Sequence, residues 1–153
     1  MKDPKHPEDS RYEGVKYLLN TLDKAGILIE FDKKQCFSHE EGVYLLDARK
    51  IIFSEDKPSV HALKQQSWHV LQHCRMWKHD DTKSITFYPW KKPFEDFINA
   101  SNIDANKLTE TYKELGVDPS TILLQIEAEA AATFYYPEQI ASLINQCLDK
   151  NES

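Results

Sequence analysis

Residues 60–77 read as one long helix with two chemically distinct faces, and no other feature of the chain constrains its fold as much. At 3.6 residues per turn, Val60, Leu63, Ser67, Val70, Leu71, Cys74 and Trp77 share one face and are predicted to pack inward. His61, Gln65, His69 and His73 recur at every fourth position, on roughly the opposite face. Pro58 stands where a first helical position would be expected. A helix of this kind needs a second layer to cover its apolar side. Its other side then presents a column of amide and imidazole groups to whatever lies opposite.

The flanking sequence supplies such a layer. Tyr12, Val15, Leu18, Leu19 and Leu22 recur at helical spacing, with Gly26 placed to end that helix. Residues 27–31 read as a strand, and residues 43–46 and 50–53 as a hairpin across Asp47-Ala48-Arg49. Residues 78–93 are rich in Lys, Asp and Pro and form a long connection with a short strand at 85–88. Asp104 caps a helix over 105–115 that Gly116 ends. Asp118-Pro119 opens another through about Thr133, and Pro137 opens the last, striped by Ile140, Leu143, Ile144, Cys147 and Leu148. The order of helix, small sheet, then helices predicts an α+β fold. Residues 1–9, polar and carrying Pro4 and Pro7, read as a flexible arm before a single domain over 10–150. At 153 residues and 41% hydrophobic, the chain suits one core rather than two.

Composition narrows the functional classes. A net charge of -6 argues against non-specific nucleic-acid binding, which depends on a basic surface. No run is long and apolar enough for a bilayer, and the N-terminus has no apolar signal region. The three cysteines, Cys36, Cys74 and Cys147, are odd in number and widely spaced. That pattern favours reduced, buried thiols in a cytoplasmic protein, although the sequence leaves open a bridge such as Cys36 to Cys74. The four glycines are scattered at element ends and form no phosphate-cradling loop.

The 60–77 helix carries Gln65-Gln66-Ser67-Trp68-His69, with Gln65 and His69 on its polar face. A hydrolytic HExxH motif places two His ligands one turn apart, with a Glu beside the first to take a proton from zinc-bound water. Gln65 stands at the first His position, Gln66 at the Glu position and His69 at the second His. Gln has no titratable carboxylate and cannot be the general base. Downstream, Glu127-Ala128-Glu129-Ala130 lies on a segment that reads as helix. With Trp68, His69, Gln72 and Cys74, and the strands over 36–53, these segments resemble the small zincin-like metallopeptidases. In those families the motif continues as W-H-x-x-Q-x-C, and a Glu-Ala-Glu-Ala helix supplies the third ligand. The resemblance covers roughly half the chain. It implies a minimal zincin-like domain with a small sheet on the motif helix, and C-terminal helices that bring Glu129 toward His69 at a helix-packing distance.

The departures fall on the catalytic positions, so the resemblance implies a scaffold without its chemistry. Glu129 and His69 are two strong ligands where zinc needs three or four; no cofactor is expected. The leading expectation is a catalytically inactive, protein-binding or regulatory module that reuses the cleft around Gln65, Gln66 and Glu127. One alternative is a metallopeptidase with an atypical zinc set of His69, His73 and Glu129, and another is a structural or assembly protein. Residues 79–81, His-Asp-Asp, read as a solvated turn. Phe87, Tyr88, Trp90 and Phe94 form an aromatic cluster interleaved with Lys and Pro. Such clusters suit a protein interface, and the competing reading folds the rings back over the core.

Overall fold

The computed structural model describes residues 13–36, 41–55, 58–78 and 86–151. The arm at 1–9, Tyr12 and the turn at 79–81 lie outside the described residues. The chain is α+β. Helix α1 (Glu13–Lys24) leads into β1 (Leu28–Phe31), followed by β2 (Gly42–Leu45) and β3 (Lys50–Phe53). Five helices follow: α2 (Val60–Lys78), α3 (Lys92–Ser101), α4 (Ala105–Glu114), α5 (Ile122–Phe134) and α6 (Pro137–Asn151). The sheet order is β1-β3-β2, with β1 parallel and β2 antiparallel to β3. The central position of β3 explains why Ile51, Ile52 and Phe53 are all buried. The expected hairpin is present, and Arg49 takes a left-handed conformation (φ 49) in its turn. Residues 86–88, the described part of the expected 85–88 strand, form no strand.

Helix α2 is the central element. It packs against α5, α6 and β2, while α1 packs on α6 and α3 on α5. Val60, Leu63, Ser67, Val70, Leu71 and Cys74 are buried as their periodicity predicts. The opposite face is covered as well: Trp68, Gln72 and His73 are buried. An inward-outward division suits a helix at a surface, whereas α2 has helices on one side and a strand on the other. Its start also differs from the expectation. Ser59 is the cap, its Oγ accepting from Ala62 N at 3.0 Å, and the Glu41 carboxylate accepts from Ser59 N and Oγ at 2.7 and 2.6 Å. Pro58 therefore precedes the cap instead of opening the helix.

Two further features depart from the sequence reading. Helix α3 falls where the sequence reading places a connection and no helix, yet Phe94, Phe97, Ile98 and Ser101 are all buried along it, at the i, i+3, i+4, i+7 spacing of an amphipathic helix. Cys74 and Cys147 form a disulfide between α2 and α6, with Cα atoms 6.4 Å apart. That corrects the expectation of reduced thiols and the suggested Cys36–Cys74 pairing. Both cysteines lie on apolar stripes, and the packing of α2 on α6 brings those stripes face to face. Cys36 instead directs its thiol toward the Ile52 carbonyl at 3.6 Å. Among the described residues, no helix is long and apolar enough to cross a membrane.

Candidate functional site

A cavity of about 500 Å³ opens between β2, α2, α5 and the α4–α5 connection. Gln65, Gln66, His69 and Glu129 all line it, so the chain folds to bring together the four positions singled out by the motif. Gly42 makes the close approach of β2 to α2 possible. A Cβ at that position would lie 2.8 Å from Phe53 Cδ1 and 3.3 Å from Gln66 Cγ, and Phe53 is buried and has no room to yield.

The two glutamines act as structural donors here. Gln65 Nε2 donates to Glu129 Oε1 at 2.9 Å, and His61 Nε2 donates to Glu129 Oε2 at 2.8 Å. Gln66 Nε2 donates to the Gly42 carbonyl at 3.2 Å, so the side chain at the general-base position ties α2 to the edge strand. His61, on the polar stripe of α2, is thus a partner of Glu129.

The tautomer of His69 follows from its neighbours. Gln72 Nε2 donates to the Leu124 carbonyl at 3.1 Å and to Glu127 Oε1 at 3.0 Å. Its Oε1 must then accept from His69 Nδ1, 2.8 Å away, which leaves Nε2 of the neutral ring without a proton. Protein surrounds most of the ring although part of its surface opens into the cavity. Burial pulls its pKa below the ordinary histidine value, and its hydrogen bonds with Gln72 and Gln125 pull against that shift. His73 does not join His69. Its Nδ1 pairs with the Tyr44 hydroxyl at 2.8 Å, and burial, with the nearby Arg49 charge, lowers its pKa too. Burial pushes Tyr44 up to about 12, so its hydroxyl stays protonated and can donate to His73 Nδ1 or accept from it, according to the His73 tautomer.

These shifts set a pH dependence. A histidine whose folded pKa lies below its unfolded value resists protonation in the fold, so protons favour the unfolded chain. The domain should lose stability as pH falls below about 6.5 toward the two folded pKa values. Urea unfolding from pH 7.5 to 5 checks this. His73→Gln is expected to flatten the slope, and a slope unchanged by that variant would contradict the assignment.

Glu127 is placed differently from the cleft residue expected. It is fully buried and does not line the cavity. Its Oε1 accepts from Trp68 Nε1 at 2.9 Å, Gln72 Nε2 at 3.0 Å and Phe87 N at 2.7 Å, and its Oε2 accepts from Tyr88 N at 3.0 Å. Burial raises its pKa and the four donors pull against that rise. A carboxylate that meets four N–H groups pins residues 87 and 88 onto α2 and α5. The aromatic cluster follows from this anchor. Trp68 lies edge-on to Phe87 and stacks with Tyr88, Phe97 and Tyr135, and Phe94 is buried. Of the four residues proposed as an interface, only Trp90 is largely exposed, at 60%. The others fold back over the core.

The donor set does not fit a hydrolytic zinc centre. Of the three ligand positions, His69 and Glu129 offer an imidazole and a carboxylate, and Gln65 offers a neutral amide. The base position holds an amide already committed to Gly42. The alternative set fails on geometry, because His73 turns to Tyr44 while Glu129 pairs with His61 and Gln65. Among the described residues, no three His, Cys, Asp or Glu side chains cluster as metal ligands would. No protein-family model matches the chain, nor does any curated protein or solved structure.

Proposed function

We propose that the chain is a non-catalytic binding module of zincin-like design, and that its cleft holds an extended segment of a protein partner beside β2. The observation that carries this reading is the outer edge of β2 along the cavity, where Gln66 takes the Gly42 carbonyl and no strand covers the other backbone groups among the described residues. Ser54 N donates to the Glu41 carbonyl at 2.9 Å, which sets the phase of the antiparallel ladder. Val43 and Leu45 then bond to β3, and the backbone groups of Gly42 and Tyr44 point away from it. Among the described residues, no strand pairs with that edge. A peptide can add there through main-chain hydrogen bonds, with pockets reading alternate side chains. The rim suits apolar side chains: Leu46 and Leu115 line the cavity at 38% and 44% exposure, and Val117 and Leu124 line it as well. Exposed apolar groups around a cavity favour such a role.

The test is a nitrogen-15 NMR titration with a short unstructured peptide of alternating Leu and Thr. Shifts are expected at Tyr44, Leu46, Leu115 and Val117, the peptide should stay intact, and Leu115→Asp should weaken binding about tenfold, the equivalent of about 1.4 kcal/mol. Perturbations confined to β1, or cleavage of the peptide, would refute the reading.

A further inference from the structure

We propose that the cleft selects a segment carrying an arginine, whose guanidinium enters the cavity and docks on the wall formed by Gln65, Gln66 and Glu129. This deepens the reading of the cleft as a peptide site and rests on it. The cavity lining includes two carboxylates, Glu41 and Glu129, and no Lys or Arg. None of the partners of Glu129 carries a permanent charge: Gln65 and Thr133 are neutral, and His61 is charged only when protonated. Burial first, and the Glu129 charge second, push the Tyr112 hydroxyl up to about 12. The field of that carboxylate therefore reaches the α4 side of the cavity. Arg49 acts on Tyr44 from the hairpin turn but is not among the lining residues.

The hydrogen bonds already present decide what this wall can take. Gln65 Nε2 donates to the Glu129 carboxylate and Gln66 Nε2 to the Gly42 carbonyl. Both partners are acceptors, so each amide must turn its N–H groups to them and keep Oε1 for another donor. Neither Oε1 has a hydrogen-bond partner among the described residues, and neither is sealed in the interior. Glu129 accepts from Gln65 on Oε1 at 2.9 Å and from His61 on Oε2 at 2.8 Å. An ionised carboxylate has about four acceptor sites, so Glu129 can take further donors while these bonds stay in place. The wall thus offers one charged acceptor and two neutral ones. A guanidinium matches it, with five N–H donors in a planar fork, a fixed positive charge and no acceptor to set against the oxygens. An ammonium has the charge, but its three donors surround a point. An anionic group would meet oxygen against oxygen. Leu115, Val117 and Leu124 line the same cavity and suit the methylene stem of an arginine.

Peptide titrations followed by nitrogen-15 NMR test the proposal. The alternating Leu and Thr peptide is the frame, with one Arg at a central Leu or a central Thr, so that both side-chain registers are tried. Each is compared with the same peptide carrying Gln or Lys at that place. One of the Arg peptides should bind at least about tenfold more tightly than its Gln counterpart, with Lys between them. It should also shift the side-chain amide signals of Gln65 and Gln66. Glu129→Gln, shown folded by circular dichroism, should cut the Arg-over-Gln ratio to less than about threefold, and added salt should lower it in the parent. The inference is overturned if neither Arg peptide outbinds its Gln counterpart while the Leu and Thr peptide still shifts Tyr44, a result that leaves the peptide reading standing. A Lys peptide as tight as the Arg peptide, or a ratio unchanged by Glu129→Gln, would also overturn it. Peptides that do not bind at all would refute the peptide reading, and this inference with it.

Discussion

Glu127→Ala is expected to remove about 5 kcal/mol of unfolding free energy, because it strands four buried donors at once. Each buried polar group left without a partner costs about 1–3 kcal/mol, and removal of one member of a buried charged network costs about 3–5 kcal/mol. The donors belong to Trp68, Gln72, Phe87 and Tyr88, so the loss spreads from α2 to the segment that covers it. Trp68 also stacks on Tyr88, Phe97 and Tyr135, and those contacts depend on the anchored position of residues 87 and 88. A domain with an ordinary margin of about 5–15 kcal/mol would be left near its unfolding threshold. Glu127→Gln keeps the shape but turns an –NH2 toward N–H groups, so it should recover only part of the loss. Urea unfolding followed by Trp fluorescence measures both. A loss below about 1 kcal/mol for Glu127→Ala would show that Glu127 is not the anchor.

Breaking the Cys74–Cys147 bridge is expected to cost about 4 kcal/mol. The bridge closes a loop with a sequence separation of 73, and the loop-entropy relation places such a loop between about 3 kcal/mol for 15 residues and 4.7 for 100. The effect falls on the unfolded chain, so Cys147→Ser and reduction of the parent should give the same loss. Reductant should then have no further effect on the variant. Unequal losses would mean that the serine variant also damages α2–α6 packing, and no loss on reduction would contradict the bridge.

Much of the architecture was legible in the sequence because most elements carry their own boundary chemistry. Asp104 does cap α4 through Lys107 N at 3.0 Å, Gly26 and Gly116 take positive φ values at helix ends, and Pro137 opens α6. The i, i+3, i+4 stripe of α3 is present in the sequence, but Pro93 and the lysines before it read equally as the end of a connection. What stayed hidden depends on which faces meet. Cys74 and Cys147 each read as a buried thiol, and only the packing of α2 on α6 makes them a pair. Glu127 and Glu129 are two residues apart on a helix and point in different directions. One enters the core and the other the cavity, and composition gives no sign of which does which. His61 lies on the same polar stripe as Gln65, but its link to Glu129 needs the position of α5.

In the binding module proposed above, Gln65, His69 and Glu129 would occupy the three zinc-ligand positions of a zincin, with Gln66 in place of the base. Zinc calorimetry on a Gln65→His, Gln66→Glu double variant tests this most directly. Replacing Gln66 forfeits its bond to the Gly42 carbonyl and places an acceptor against an acceptor, so a stability loss of about 1–3 kcal/mol is expected. Two imidazoles one turn apart with Glu129 opposite complete a three-ligand set, and zinc affinity should rise at least about a hundredfold, about 2.7 kcal/mol. A folded double variant that binds zinc no more tightly than the parent would mean that these side chains do not converge as ligands, and the correspondence with HExxH would be coincidental.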